Sequence, residues 1–178
     1  MKKIFFIVFC WTVLIANSAE ITGVVTKVID GDTFMFQEDD KTILKTENKN
    51  VFIIQRGIFK IRLADIDAPE ITQKFGEQSK TYLQSLVCNK NICIVYHQID
   101  MYGRIVGTVY ITSGLLKIKD DISVNEMMVR DGYAWWFKGY SKKYWFGKLE
   151  CEAQEFKRGI WSEENNVSPW MFRKQNKK

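Results

Sequence analysis

The sequence contains a single histidine, His97, among 178 residues, and this scarcity restricts its chemistry. Histidine-dependent nucleases, HKD-type phosphodiesterases and zinc hydrolases all need more imidazole groups than this chain offers. His97 follows a predicted strand, and we expect its side chain to face solvent or to pack rather than to act as a ligand. A glycine-rich phosphate-binding loop is lacking as well, which argues against nucleoside triphosphate chemistry.

Long apolar runs are also scarce. The one prominent run, residues 4–16, is short for a membrane span, and no later run approaches one. Because Lys2 and Lys3 precede this run and small residues follow it, residues 1–19 have the layout of a secretory signal peptide. An uncleaved anchor is the alternative. We expect a secreted or periplasmic monomer that has no stable membrane association after cleavage.

Excess positive charge is confined to the two ends of the chain. The net charge is +5, and without the two lysines of the signal peptide the mature chain keeps +3. Four cations near the C-terminus account for more than this excess: Arg173, Lys174, Lys177 and Lys178. The rest of the chain is therefore close to neutral. Any argument for a polyanionic partner must rest on where individual charges are placed.

Cysteines are few once the signal peptide is removed. Cys88, Cys93 and Cys151 remain, an odd number for an oxidising compartment. Cys88 and Cys93 flank a turn-like segment, so two alternatives stay open: a local disulfide between them, or three partly buried thiols.

Residues 61–70 combine an alternating apolar run with a cluster of charge. The alternation predicts a strand, and Pro69 should end it because proline donates no backbone hydrogen bond. Three carboxylates, those of Asp65, Asp67 and Glu70, then crowd the end of this strand, and like charges so close need a cation or arginines to hold them. Strict alternation would put Arg62 and Asp67 on opposite faces, so a shared site requires a bend or bulge between them.

Short apolar segments separated by turn signals predict five or six strands with a helix inserted after the third. Asp30-Gly31 between two apolar runs is a strong hairpin signal. Residues 38–50 are polar, and we predict a mobile loop there. The predicted strands are residues 21–29, 33–36, 51–55, 58–64, 92–96 and 105–111.

Three helices are predicted by apolar spacing and capping signals. The first spans residues 77–87, with Tyr82, Leu83, Leu86 and Val87 as its inner stripe. The second opens on a capping box of Ser123 and Glu126. The third is marked by four residues: Trp145, Leu149, Ala153 and Phe156. This order fits an α+β, mainly β fold, an OB-type five-stranded β-barrel, at residues 20–163, followed by a basic C-terminal tail at residues 164–178.

Several motifs, taken in order, resemble the thermonuclease (staphylococcal nuclease-like) family. They are Asp30-Gly31-Asp32-Thr33, residues 62–70, Phe75-Gly76 with Ser79-Lys80, residues 100–104, Asn125-Glu126, residues 128–132 and Gly159-Ile160-Trp161-Ser162. The likeness spans about residues 24–162. The tail, Ser168-Pro169-Trp170 with Arg173, is similar to the variant found in exported bacterial members.

This resemblance implies a Ca²⁺-dependent phosphodiesterase that acts on DNA and RNA and leaves 3′-phosphate products. Its implied protein ligands for calcium are Asp32, Asp67 and the backbone carbonyl of Ala68. Arg62 and Arg104 would hold the scissile phosphate. Glu70 would act on the attacking water, and Tyr102 would contact the substrate. Such chemistry is physically reasonable, since calcium prefers several oxygen ligands and arginine forks stabilise charge on phosphate oxygens.

The chain departs from the family pattern at three positions. Ala68 replaces a threonine, which keeps the carbonyl but loses a hydroxyl, and Met101 replaces a frequent lysine. Asp65 stands where a small residue is common, and we expect it to face water.

Aromatic residues are dense between residues 133 and 146. Phe137 and Tyr140 are the candidates for stacking on nucleotide bases. Trp145 and Trp161 are expected in the core.

Two other functions compete with a calcium-dependent nuclease. One is a non-catalytic OB-fold nucleic-acid-binding module, which would be expected to lose an arginine or the glutamate, whereas Arg62, Glu70 and Arg104 are all present. The other is a PD-(D/E)xK-type Mg²⁺ nuclease, but Thr72 occupies the position where that motif needs a lysine.

Overall fold

The computed structural model describes residues 20–39, 42–45, 51–54, 57–112 and 122–177. The predicted signal peptide and the side chain of His97 lie outside this part of the chain, so the interpretations made for them stay predictions. None of the helices in the described ranges has the length and apolar character needed to span a bilayer.

The described chain forms nine strands and four α-helices. The strands are β1 (Glu20–Val28), β2 (Thr33–Glu38), β3 (Thr42–Lys45), β4 (Val51–Ile54), β5 (Ile58–Leu63), β6 (Ile66–Asp67), β7 (Asn91–Ile99), β8 (Ile105–Thr112) and β9 (Trp135–Trp136). The helices are α1 (Gly76–Val87), α2 (Val124–Arg130), α3 (Trp145–Glu155) and α4 (Pro169–Gln175), with a short 3₁₀ helix at Gly159–Ser162.

Five strands close into a barrel in the order β1-β2-β5-β8-β7. All neighbours are antiparallel except β5 and β8, which run parallel, and α1 enters the chain after the third barrel strand. Period-two alternation places one side of each strand inside, where Phe34, Phe36, Ile61 and Leu63 are almost fully buried. The predicted OB-type barrel is confirmed, and the structure adds α4 to the three predicted helices.

The predicted hairpin at Asp30-Gly31 is confirmed, and it lies against α1. A Cβ atom at Gly31 would come within 2.0 Å of Oγ of Ser79, so only glycine allows this approach. The Ser79 hydroxyl itself donates to the carbonyl of Tyr133 at 2.6 Å. The turn that carries Asp32 is therefore fixed by the first helix.

The mobile loop predicted for residues 38–50 is wrong in part. Residues of β3 pair with β4 in an antiparallel ladder that runs from Thr42 opposite Ile54 to Lys45 opposite Val51. Backbone pairing between these two short apolar segments supplies hydrogen bonds that the polar composition around them does not reveal.

The first two helices confirm one predicted inner face and one predicted cap. Leu83 and Val87 of α1 are fully buried, with Tyr82 and Leu86 packed beside them. At α2, Ser123 and Glu126 form the predicted reciprocal capping box.

The residues predicted to mark α3 are confirmed only in part. Ala153 is buried and Leu149 packs against the core, whereas Trp145 is 47% exposed and Phe156 is 62% exposed. Phe146 and Glu150 are buried in their place. The indole N–H of Trp145 donates to the Glu126 carboxylate at 2.8 Å. Glu150 turns inward because its carboxylate accepts the backbone N–H of Trp136 at 3.0 Å. A hydrophobic pattern carries no signal for such a buried polar contact.

Two further side-chain expectations concern cysteine and tryptophan. Cys88, Cys93 and Cys151 are free thiols in the described part of the chain; Cys93 is buried and Cys88 partly buried, as the thiol alternative has it, whereas Cys151 is exposed. Trp161, expected in the core, is partly buried, and its ring meets Trp135 edge-on with centroids 5.3 Å apart.

Asn125 joins α2 to the strands beside the site. It is fully buried, and its amide nitrogen donates to the carbonyls of Ala64 at 2.9 Å and Gly107 at 3.1 Å. Its amide oxygen accepts the N–H of Val109 at 2.9 Å. One side chain therefore hydrogen-bonds three buried backbone groups, of which the Gly107 carbonyl also accepts the N–H of Ala64 at 2.8 Å.

Replacing Asn125 with alanine should destabilise the fold strongly. Three buried backbone groups would each lose a hydrogen bond, and we expect the free energy of unfolding to fall by about 2–4 kcal/mol. Denaturant titration measures this change. Asn91→Ala, at an exposed position of β7, serves as the control and should change the value by less than about 0.5 kcal/mol. Equal losses in the two variants would contradict the assigned role.

Candidate active site

A tight turn after β5 brings Arg62 and Asp67 to the same side. Asp65 adopts a left-handed conformation with a φ of 67°, and β6 then pairs with β9. This turn interrupts the alternation of side chains, so the Arg62 guanidinium reaches the Asp67 carboxylate with Nη2 and Oδ1 2.8 Å apart. The bend that a site shared by Arg62 and Asp67 requires is therefore present.

The expectation that Asp65 faces water is wrong. Its carboxylate forms an ion pair with Nζ of Lys143 at 2.8 Å, and its backbone carbonyl accepts the N–H of Phe137 at 2.9 Å. Lys143 lies just before α3, far away in sequence, so no local pattern could indicate this pairing. The ion pair and the backbone bond together hold the turn against the 137–143 segment.

Asp32 lies at the start of β2 and is only 4% exposed. Its carboxylate accepts the N–H of Ala68 at 2.9 Å and the hydroxyl of Thr33 at 2.9 Å, and it forms an ion pair with Arg62. Burial alone would raise the pKa of Asp32, but the charge and hydrogen bonds of Arg62, together with the Ala68 N–H, bring that pKa below its usual value. Asp32 is therefore held as a carboxylate.

Arg62 connects the two buried carboxylates. Burial would lower the pKa of its guanidinium, but Asp32 and Asp67 outweigh that effect and raise the pKa above its ordinary value. Nη2 also donates to the carbonyl of Ile66 at 3.3 Å. Arg62 therefore stays charged in an orientation fixed by three acceptors before any substrate arrives.

Asp67 is fully buried, and its pKa behaves differently from that of Asp32. Burial raises the pKa of Asp67, and the contacts with Arg173 and Arg62 oppose this rise without cancelling it. Ionisation therefore costs more free energy at Asp67 than at Asp32, and the charged form of Asp67 depends on the positive groups around it.

Arg173 of α4 is a site residue that sequence reasoning missed. Its Nη2 lies 2.7 Å from Oδ2 of Asp67, and its Nη1 donates to Oδ1 of Asp67 at 3.2 Å and to Oε1 of Glu70 at 2.8 Å. The sequence places this arginine in a basic tail that is similar to the tail of exported family members, but that similarity assigns Arg173 no role at the site. We call the resulting alternating set the charge row; it comprises Asp32, Arg62, Asp67, Arg173 and Glu70.

Arg104 directly precedes β8, the strand next to β5, and lies outside the charge row. Ile61 and Ile105, which pair across β5 and β8, are both buried in the core, so their chain neighbours Arg62 and Arg104 point outward. Strand spacing puts their Cα atoms about 8 Å apart. The two predicted phosphate ligands therefore share one face of the barrel.

The loop between β7 and β8 orients Arg104 and Tyr102. Asp100 accepts the backbone N–H groups of Tyr102 and Arg104, each at 2.9 Å, and the Nε of Arg104 at 2.7 Å. Burial raises the pKa of Asp100, but these hydrogen bonds from Arg104 and Tyr102 bring it below its usual value. Tyr102 is largely exposed, and Arg104 lies over its ring.

The two predicted base-stacking residues have different surroundings. Tyr140 is 84% exposed, whereas Phe137 is partly buried. The Phe137 ring stacks on Trp170 of α4 with centroids 5.6 Å apart, and it lies 4.6 Å from the Tyr140 ring. Phe137 therefore supports the helix that carries Arg173, and Tyr140 presents its ring to solvent.

The predicted metal ligands are brought together, although without a dense acidic cluster. Asp32 and Asp67 share Arg62, and the Ala68 backbone lies against Asp32. Within the described residues, no group of three or more histidine, cysteine, aspartate or glutamate side chains is arranged to hold a metal. A cation here would therefore need backbone and water oxygens beside the two carboxylates.

The sequence of this chain is similar to those of known nucleases. A family model described as staphylococcal nuclease homologue matches residues 60–163. A protein of Escherichia coli called an uncharacterized endonuclease is 37% identical over 166 residues, covering 93% of this chain and 92% of that protein. The micrococcal nuclease of Shigella flexneri is 30% identical over 165 residues, covering 89% of this chain and 84% of that protein. A probable staphylococcal-like nuclease of Oryza sativa is 34% identical over 119 residues, covering 67% of this chain and 30% of that protein.

The left-handed turn at Asp65 can be tested apart from its charge. Asp65→Val puts a β-branched residue at a positive φ and should lower the free energy of unfolding by about 1–3 kcal/mol. Asp65→Asn keeps a residue that tolerates this conformation and removes only the ion pair with Lys143, for a loss below about 1 kcal/mol. Denaturant titration of both variants distinguishes the two contributions. If asparagine proves as damaging as valine, the charge and not the turn is what matters.

Proposed function

The chain belongs to the family of staphylococcal nuclease homologues, and on that premise we propose that it is an exported, Ca²⁺-dependent nuclease that hydrolyses phosphodiester bonds of both DNA and RNA. It is a nuclease, a phosphodiester hydrolase, by its family and its relatives. The cation, the tolerance of both sugars, the 3′-phosphate products and the export form the proposal. Export rests on residues 1–19, whose layout is that of a signal peptide.

The observation that carries this proposal is the convergence of Asp32 and Asp67 on one guanidinium. Both carboxylates are almost fully buried, and both contact Arg62. Buried carboxylates are costly unless positive charge accompanies them, and Asp67 in particular has a pKa raised by burial. A hard divalent cation would supply that charge, and oxygen donors are the ligands that calcium takes. The donor set therefore fits Ca²⁺.

The ligands that we assign to the cation are Asp32, Asp67 and the carbonyl of Ala68. Calcium would supply positive charge beside the phosphate oxygens on which negative charge gathers. The protein's own contribution is to hold the carboxylates ionised and close together before the cation arrives, which Arg62 and the Ala68 N–H do for Asp32.

The arginines bind and orient the phosphodiester. Among the described residues Arg104 is held by Asp100 through Nε, which leaves the two terminal nitrogens of its fork for phosphate oxygens. Arg62 is fixed on the adjacent strand and faces the same side. Planar forks that stay charged at every relevant pH pair with phosphate bidentately, which lysine cannot do.

Glu70 is assigned to the attacking water. Its side chain is partly exposed, so a water molecule can reach the carboxylate, and its Oε1 is oriented by the contact with Arg173. A carboxylate in this place can orient the water or accept its proton. Tyr102 and Tyr140, both largely exposed, would contact the substrate on either side of the linkage.

Calcium dependence is the direct test of the proposed reaction. We expect the purified protein to digest plasmid DNA, single-stranded DNA and RNA with Ca²⁺ and to lose this activity when EGTA replaces it, because the buried carboxylates then lack their cation. End-group analysis of the products should find 3′-phosphates. Equal cleavage in EGTA would exclude the proposed cation. Binding without cleavage under all conditions would favour the non-catalytic module, and cleavage restored by Mg²⁺ alone would favour a different nuclease class.

The Arg62→Lys substitution tests whether the planar guanidinium group of Arg62 is needed, because it keeps the positive charge. Lysine keeps a positive charge near Asp32 and Asp67 but cannot bridge both carboxylates and a phosphate, so we expect turnover to fall by about 10²–10³ with the fold retained. Steady-state cleavage of a defined oligonucleotide and a thermal melt measure the two effects. Arg130→Lys, at the end of α2, makes the same exchange where the partner is Asp131 and should leave turnover near wild type. Near-normal cleavage by Arg62→Lys would refute the bidentate role.

A further inference from the structure

The C-terminal segment, residues 167–175, packs beside the site and makes contacts at several points along its length. Trp170 stacks on Phe137, and Pro169 is buried at the start of α4. The Gln73 side chain donates to the carbonyl of Val167, which ties the segment to the loop that follows Glu70. Helix α4 is therefore held in place by apolar and polar contacts that do not involve Arg173.

Arg173 projects from this fixed helix onto two carboxylates at once. It bridges Asp67 and Glu70 through three hydrogen bonds of 2.7–3.2 Å. Its side chain is 41% exposed, whereas that of Asp67 is 1% exposed. The arginine thus has access to solvent and room to move, and the carboxylate that it covers does not. Residue 173 lies outside the span that the family model matches, residues 60–163.

The charge row shows what Arg173 contributes. Its three carboxylates and two guanidiniums give a formal charge of −1, and without Arg173 the row would carry −2. Both oxygens of Asp67 already accept hydrogen bonds from guanidinium groups. A divalent cation that uses Asp67 must therefore approach an oxygen that Arg173 covers, and the two positive charges repel each other.

We propose that Arg173 is a positioning residue of the active site. In the cation-free protein it compensates the charge of Asp67, and it releases Asp67 when the divalent cation binds. Throughout, it keeps Glu70 oriented. This role rests on the proposed function, because it concerns the same cation and the same glutamate. Nothing in the arrangement requires α4 to leave, since rotation of a half-exposed side chain is enough to free the Asp67 oxygens.

Two consequences follow from this role, and they have opposite signs. If the cation must displace Arg173, its apparent affinity is its intrinsic affinity multiplied by the fraction of molecules in which Asp67 is free. Removing Arg173 raises that fraction to one and should therefore tighten cation binding. Removing it also frees Glu70, so the chemical step should slow. Simple structural damage would instead weaken the cation site, so the direction of the change separates a positioning role from a structural one.

Calorimetric titration of Ca²⁺ into the nucleic-acid-free protein tests the first consequence. We expect Arg173→Gln to bind Ca²⁺ roughly 3- to 30-fold more tightly than wild type. Lys174→Gln removes the same charge from the next residue of α4, which is exposed, and should bind Ca²⁺ as wild type does. Arg173→Lys keeps a charge that can reach only one carboxylate at a time, and its affinity should fall between the other two.

Oligonucleotide cleavage at saturating Ca²⁺ tests the second consequence. We expect Arg173→Gln to lose roughly 10- to 100-fold in kcat, with a smaller change in KM, and Arg173→Lys to recover part of the loss. Thermal melts in EGTA establish that each variant is folded. If Arg173→Gln does not fold, Arg173→Lys replaces it in both measurements with the same expected directions.

The outcomes separate this inference from the proposed function. Ca²⁺ affinity that is unchanged or weaker in a folded Arg173 variant overturns the inference and leaves the calcium-dependent nuclease standing. An unchanged kcat overturns the part that concerns Glu70. If wild-type protein binds neither Ca²⁺, Mg²⁺ nor Mn²⁺, the proposed cofactor and this inference both fail.

Discussion

Two carboxylates buried side by side would normally repel each other and lose their hydration, and this barrel places Asp32 and Asp67 in that situation. Arg62 makes the arrangement possible, because its fork contacts both carboxylates and its own charge is stabilised by them. Each member of the set depends on its neighbours. The site is therefore assembled as an electrostatic unit before it meets a cation or a phosphodiester, which is what preorganised stabilisation of a charged transition state requires.

Much of the surrounding fold fixes the geometry of this unit. The glycine at residue 31 lets the β1–β2 turn lie against Ser79 of α1, which sets the position of Asp32. Asn125 links the end of β5 to β8 by donating to the carbonyls of Ala64 and Gly107. The left-handed Asp65 then redirects the chain so that Asp67 meets Arg62. Separate elements thus fix the carboxylates and the guanidinium within hydrogen-bonding distance.

The C-terminal helix extends the same electrostatic logic. Arg173 continues the alternation of charge from Asp67 to Glu70, and its helix is held by stacking of Trp170 on Phe137. The site is consequently not limited to the barrel. Under the proposed function, Arg173 would meet two needs, because the metal-free protein must tolerate the buried carboxylates and the metal-bound protein would use them.

The sequence by itself determined the barrel strands, the Asp30-Gly31 hairpin, the inner face of α1 and the identity of Arg62, Asp67 and Glu70 as a group near one strand end. These features are encoded by periodicity and turn chemistry within about ten residues. Only the tertiary structure decided that Arg173 reaches Asp67 across 106 residues, that Lys143 pairs with Asp65, and that Trp145 turns outward. Such contacts leave no local signal, because any exposed cation or aromatic ring is compatible with its own helix or loop. The partner is selected only when helices and loops distant in sequence pack against one another and against the barrel.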